Sequence, residues 1–137
     1  MTKKIFLLLF TILILSIIFI SCKKFDTTGT TIQGTSANPY ISIDPILGQD
    51  YKLSVKTTAT SISIAIVLAN NTTNPIGGEE TIDKIYQEKG SSNYSFQNGV
   101  MSGNFSVLSG DQIKISFVRN TPPYLSVRDV ICTANNP

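Results

Sequence analysis

The side chains that could perform chemistry in this 137-residue chain are carboxylates and two cysteines, because the sequence contains no histidine. Without histidine, Ser-His-Asp and Cys-His arrangements and zinc sites with histidine ligands are excluded. Paired carboxylates could still hydrolyse a glycoside, and converging carboxylates could bind Ca²⁺. The candidates mostly fall in predicted turns or beside lysine: Asp44, Asp50, Glu79, Glu80, Asp83, Glu88, Asp111 and Asp129. No Asp-x-Asp-x-Asp spacing is present, so we expect solvated turn and cap residues, with no catalytic residue, no metal site and no cofactor.

The first 22 residues have the pattern of a secretory signal. Two lysines precede an apolar run over residues 5–20, which Ser21 and Cys22 follow. The box Phe19-Ile20-Ser21-Cys22 resembles that of bacterial lipoprotein signal peptides, which are cut before a lipidated Cys, although the family usually has Leu where Phe19 stands. The resemblance implies that Cys22 carries acyl chains such as palmitate and anchors the protein in the outer membrane. The alternative is an uncleaved anchor, although a membrane span needs about 20 residues.

The sequence divides into three parts: a signal peptide at 1–21, a lipidated Cys with a flexible linker at 22–39, and a folded domain at 40–134. The linker is rich in Thr, Ser and Gly, which is typical of a disordered tether. Lys23, Lys24 and Asp26 partly resemble the surface-export signal of Bacteroidota lipoproteins, so a surface-facing and a periplasmic orientation both stay open. Apart from the Lys23-Lys24 pair, the mature chain has no basic cluster, and we therefore expect no nucleic-acid partner.

From Tyr40 onward, apolar residues alternate with polar ones, which predicts strands rather than helices. The clearest strands are 51–56 and 60–69, and Asn98-Gly99 is a strong hairpin signal. Glu79–Lys89 is ambiguous between helix and strand, and its β neighbours favour strand. About seven short strands at intervals of about ten residues predict a single immunoglobulin-like antiparallel β-sandwich.

Two stretches of the domain resemble a known class of membrane-anchored proteins. Thr58-Ala59-Thr60-Ser61, which leads into an apolar strand, and Ser109-Gly110-Asp111-Gln112-Ile113 are similar to small immunoglobulin-like domains of the MmpS type. The paired cysteines of that type are not matched. The resemblance implies a sandwich and no particular activity.

The predicted function is a non-catalytic β-domain on a lipid anchor that binds or scaffolds a protein or glycan ligand. Its binding surface is predicted in the loop Asn70–Gly78, because scaffolds present function on loops. An accessory or inhibitor subunit docking through an exposed edge strand at Thr81–Lys89 is the alternative, and a small carboxylate-dependent hydrolase is the third hypothesis.

Two further groups of side chains could take part in interactions. Five tyrosines could stack on sugars, although packing in the sheet is the more ordinary role of strand tyrosine: Tyr40, Tyr51, Tyr86, Tyr94 and Tyr124. Cys132 has no intramolecular partner if Cys22 is lipidated, which predicts a half-buried inert thiol or an intermolecular bridge. The oligomeric state stays open.

Overall fold

The computed structural model describes residues 25–26, 38–108 and 111–134. These residues form ten β-strands, which confirms the predicted all-β class. No helix in these ranges is long and apolar enough to cross a membrane. The predicted signal peptide and Cys22 lie outside the described residues. The strands are β1 Phe25–Asp26, β2 Tyr40–Ser42, β3 Tyr51–Thr57, β4 Ile62–Leu68, β5 Asn71–Ile82, β6 Ile85–Glu88, β7 Asn93–Gln97, β8 Met101–Val107, β9 Gln112–Arg119 and β10 Leu125–Ala134.

All ten strands belong to one antiparallel sheet, in the order β1-β6-β7-β8-β9-β10-β2-β3-β4-β5. Strand β10 pairs with β9 along one side and with β2 along the other, where Cys132 lies opposite Ser42. This pairing joins the two halves of the chain into a continuous sheet. The predicted count of seven strands and the two-sheet immunoglobulin-like sandwich are therefore not confirmed.

The sheet curls into a half-barrel because its two ends are joined by a short connection. Strand β5 ends at Ile82 and β6 begins at Ile85, and this separation spans at most about 11 Å of extended chain. The backbone N–H of Ile85 also donates to the carbonyl of Thr60, 3.0 Å away, just before β4. The enclosed face carries one hydrophobic core with residues from both halves of the sheet, including Leu53, Phe96 and Phe105.

Strands β3 and β4 form the interior of one half, as their alternation predicted. Leu53 and Val55 pair with Ile66 and Ile64 on the core side. Val67, on the opposite face of β4, is also buried, at 1 % exposure. Both faces of β4 are therefore partly covered, which accounts for its nearly continuous apolar sequence.

The prediction of a loop at Asn70–Gly78 is wrong, because this segment forms most of strand β5; a binding role for the segment stays a prediction. Val67 and Leu68 of β4 lie opposite Pro75 and Asn71, so Ala69 and Asn70 alone make the hairpin turn. Nearly all of β5 up to Glu79 is exposed. The strand stands at the edge of the sheet, where polar residues and proline are tolerated and strand composition resembles that of a loop.

Strand β5 is irregular at Gly77 and Gly78, which have φ values of 73° and 99°. Ala65 lies opposite Glu79 and Ile66 lies opposite Ile76, so the two glycines form a bulge in the pairing with β4. These backbone angles are in the region that favours glycine. A bulge bends the strand that carries it and increases its local twist.

The segment Glu79–Lys89 contains no helix, in agreement with the strand preference, but it is not one exposed edge. Its first residues complete β5, and Ile85–Glu88 forms β6. Strand β6 pairs with β7 on one side and with β1 on the other, where Phe25 lies opposite Glu88. Two residues of the predicted flexible tether are thus paired in the sheet. They cover Gln87 and Glu88 of the edge that the accessory-subunit hypothesis used, whereas Thr81 and Ile82 belong to the edge strand β5.

Candidate functional site

A cleft of about 340 Å³ opens where the two halves of the curled sheet face each other. One wall consists of β4 and β5 residues, including Ile64, Ile66 and Ile76. The other wall consists of residues at the ends of β8, β9 and β10, including Met101 and Phe117. The cleft is therefore mainly apolar and is built on paired strands, which hold its walls in a fixed geometry.

The rim of the cleft carries large apolar side chains that are open to solvent. Tyr124 is 75 % exposed and follows the cis peptide bond between Pro122 and Pro123. Leu47, from the segment between β2 and β3, and Ile76 are each 43 % exposed. Exposed apolar groups beside a concave apolar surface are typical of a ligand-binding groove.

Arg119 is the cation of the cleft, and the alternation of β9 places it there. Ile113, Ile115 and Phe117 point to the core at every second position, and Arg119 continues this row at the end of the strand. It lies opposite Met101 on β8 and Leu125 on β10, both of which line the cleft. The Arg119 Nε is buried and has no hydrogen-bond partner among the described residues.

The two acidic residues nearest the cleft point to opposite faces of β5. Glu79 forms a salt bridge with Lys56 on the outer face, with 2.8 Å between Nζ and Oε2. Glu80 points inward, and its Oε1 accepts a hydrogen bond of 3.0 Å from the Nδ2 of Asn98. Among the described residues, neither carboxylate forms a salt bridge with Arg119.

Asn98 supports this part of the cleft from the hairpin turn between β7 and β8. Its Oδ1 accepts hydrogen bonds from the backbone N–H groups of Val100, at 2.9 Å, and Met101, at 2.7 Å. The predicted hairpin at Asn98-Gly99 is thereby confirmed. Because the same side chain donates to Glu80, it links β5 to the β7–β8 turn across the gap in the curled sheet.

No protein-family model, curated protein or solved structure matches the chain. The chemistry of the cleft therefore follows from its own residues.

The candidate carboxylates are dispersed over the described part of the chain. Within that part, no group of three His, Cys, Asp or Glu side chains could hold a metal ion. Glu88 lies at a turn, where its carboxylate is 3.4 Å from Ser91 Oγ and from Asn93 Nδ2. Glu80 is the candidate whose side chain the structure brings into the cleft. That the protein is not an enzyme stays a prediction.

The five tyrosines have different environments. Tyr40 and Tyr94 are buried, at 1 % and 6 % exposure, and Tyr94 stacks on Phe105 with 4.8 Å between ring centroids. Burial, together with the nearby charge of Asp111, raises the pKa of Tyr40 to about 12. Tyr124 is the member of the group that lines the cleft.

Cys132 is a free thiol in the interior of the sheet, fully buried rather than half-buried. Burial raises the pKa of its thiol to about 12, so the reactive thiolate is disfavoured. An intermolecular bridge would require the domain to open. The location agrees with the inert-thiol prediction.

Arg119 was not predicted as a site residue from the sequence. The available signal was its place in the alternation of β9, directly after three core positions of the same face. A charged residue that continues an apolar row is a candidate for an enclosed or functional cation. The opposite wall lies partly in the segment Asn70–Gly78, which was interpreted as a loop, so its pairing with β4 was not predicted.

Proposed function

We propose that this chain is a lipid-anchored envelope protein whose curled β-domain binds a small, mainly apolar ligand without chemical conversion. The observation that carries this proposal is the cleft between the two halves of the sheet. Its volume of about 340 Å³ is within the range of small-molecule sites, and such sites combine apolar walls with a few polar groups. Here the polar groups are Arg119 and the Asn98-bound Glu80.

The anchor in this proposal is the lipid on Cys22, which attaches the domain to the outer membrane. The signal-like sequence before Cys22 supports it. Strand β1 begins only three positions after Cys22, so a lipid there would hold the β1–β6 side of the sheet close to the headgroups. We expect Cys22→Ala to lose palmitate labelling and to be released from the membrane. The matched control, Cys132→Ala, should keep both the label and the membrane attachment.

Which side of the membrane the domain faces is tested by adding protease to intact cells. Digestion of the domain without lysis would place its ligand outside the cell. Protection until the outer membrane is opened would restrict the ligand to the periplasm. Retention of palmitate labelling in Cys22→Ala would contradict the anchor itself in either case.

The binding function is tested by filling the cleft. Ile76 is 43 % exposed at the rim, so Ile76→Trp is expected to fold while its ring occupies the groove. Ile131 is 39 % exposed on β10 and does not line the cleft, which makes Ile131→Trp a matched control. Mass spectrometry of small molecules that copurify with the full chain should find a compound that Ile76→Trp alone loses. An identical set in all three proteins would contradict the proposal.

The accessory-subunit alternative is less well supported by the edge strands. Strand β6 is paired with β7 on one side and, at Gln87 and Glu88, with β1 on the other, and the longer of the two edge strands is β5. Pro75 and the bulge at Gly77 and Gly78 interrupt that edge, and both features are ways in which proteins prevent edge-to-edge pairing. The cleft therefore takes precedence as the site of binding.

A further inference from the structure

The unpaired guanidinium of Arg119 points to the chemical class of the cleft ligand. Along β9, the core-facing positions Ile115 and Phe117 are apolar and buried, and Arg119 follows on the same face. Its neighbours across the strands, Met101 and Leu125, are apolar cleft residues. The positive charge is thus presented beside apolar walls, at the end of the groove formed by β8, β9 and β10.

This guanidinium forms no salt bridge with a residue in the described part of the chain. The Arg119 Nε has no acceptor, although it is buried. Glu79 is paired with Lys56, and Glu80 is hydrogen-bonded to Asn98. A guanidinium beside apolar walls that has no salt-bridge partner is stabilised by a ligand that supplies an anionic oxygen. The unpaired charge therefore favours a ligand with an anionic group over a purely apolar one.

We propose that the cleft binds an alkyl carboxylate of medium chain length, with its carboxylate against Arg119 and its chain along the apolar walls. This inference rests on the proposed binding function of the same cleft. The two Nη groups of arginine offer N–H donors side by side at the end of the guanidinium, a spacing that matches the two oxygens of a carboxylate. At about 30 Å³ for each water-sized group, a volume of about 340 Å³ holds about eleven groups, which corresponds to a chain of about ten carbons.

The charges around the cleft favour a carboxylate over a phosphate monoester. One guanidinium faces the site, and the Glu80 carboxylate stands on the facing wall. With a singly charged headgroup bound, the cleft holds one cation, Arg119, and two separate anions, the headgroup and Glu80. A dianionic phosphate would add further repulsion from Glu80 without a second cation to balance it. The carboxylate also needs no metal ion to be bound.

The test uses two photoreactive probes of equal length on the full chain in lipid nanodiscs. One is decanoic acid with a diazirine in its tail, and the other is the corresponding decanol. Labelled positions are mapped by peptide mass spectrometry, and the dependence of cleft labelling on probe concentration yields an apparent Kd. Partitioning of each probe into the lipid is common to all variants, so the ratios between variants report on the protein.

The variants separate the charge of Arg119 from its shape. We expect decanoate to label the cleft and Arg119→Met to weaken its apparent Kd by about 10- to 100-fold, since hydrogen bonds to charged groups are the strong ones. Arg119→Lys keeps the charge but loses the paired donors, so it should fall in between. Arg128, exposed on β10 and outside the cleft, supplies the control Arg128→Met, which should bind as the wild type does. The decanol probe should not distinguish any of them.

Each other outcome overturns a defined part of the reasoning. If both probes label the cleft equally well, or if Arg119→Met binds decanoate undiminished, the carboxylate inference is wrong while the binding cleft stands. If neither probe labels the cleft of the wild-type chain, this inference and the binding of an apolar ligand both fail. If circular dichroism shows that Arg119→Met does not fold, Arg119→Lys becomes the deciding variant. If Arg119→Lys then binds decanoate as tightly as the wild type does, the paired-donor geometry is wrong.

Discussion

Gly103, in the middle of β8, is the position where a single methyl group tests the packing of the curled sheet. Gly103 lies opposite Phe96 on β7 and opposite Phe117 on β9. A Cβ added at Gly103 would collide with the carbonyl oxygen of Ser116, and it would lie 2.7 Å from both Phe117 Cβ and Phe96 Cζ. Two of these three neighbours are backbone or Cβ atoms of a strand paired on both sides, so they cannot move aside without breaking the ladder.

The expected penalty for Gly103→Ala follows from these contacts. Overpacking a well-filled core typically lowers the free energy of unfolding by about 1–3 kcal/mol. Because the backbone neighbours of Gly103 cannot move aside, we expect a loss at the upper end of this range, about 3 kcal/mol. Displacing the Phe96 ring instead would forfeit part of its burial, and removal of a whole buried Phe costs about 3–5 kcal/mol. Both routes of relief therefore predict a decrease in the free energy of unfolding of about 3 kcal/mol.

Urea denaturation followed by circular dichroism measures this penalty, and Gly99→Ala is its matched control. A Cβ at Gly99 meets no atom within 4 Å, and its φ lies outside the region reserved for glycine. Alanine there should be neutral or should stabilise by about 0.4–1 kcal/mol, because it restricts the unfolded chain. A Gly103→Ala protein within about 0.5 kcal/mol of the wild type would refute the packing of Phe96 and Phe117 against this glycine.

Three further predictions concern a thiol, a turn and an ion pair. The pKa of the Cys132 thiol is raised from 9.0 to about 12 in the folded state, so stability is lost as the pH rises above 9. Urea denaturation between pH 9 and 10 should show the wild type losing about 1 kcal/mol more than Cys132→Ala, and equal losses would contradict burial of the thiol. Asn98→Ala removes three hydrogen bonds and should cost about 2 kcal/mol in the same assay; a change below about 0.5 kcal/mol would mean that the link to Glu80 does not stabilise the sheet. Lys56→Gln breaks a partly exposed pair with Glu79 and should cost less than about 1 kcal/mol at low salt and nothing in 1 M salt, so a salt-independent loss would count against an ionic contribution.

Much of the local structure was predictable because strand alternation is a local property. Leu53 and Val55 alternate with polar residues, and they are core residues of β3. The hairpin between β7 and β8 was also predictable from Asn98-Gly99, although neither residue has a positive φ and the turn is held by the Asn98 side chain. In both cases a few neighbouring residues carry the information.

The segment Asn71–Gly78 shows where local interpretation fails. Its asparagine, proline and glycine residues are typical of a loop, yet it pairs with β4 as an edge strand. An edge strand has one side open to solvent, so its composition reports exposure rather than backbone conformation. The count of seven strands followed from that ambiguity.

The all-β class and the core-facing rows of β3 and β9 were predictable from the sequence alone. These features follow from the period of two along a strand, which needs no knowledge of distant partners. The pairing of β10 with β2 into one sheet and the curl of the sheet between Ile82 and Ile85 were not predictable in this way. The cleft exists because that curl brings β5 opposite β8 and β9. Such pairings between distant parts of the chain depend on the packing of the whole core, and the residues of any one strand do not encode them.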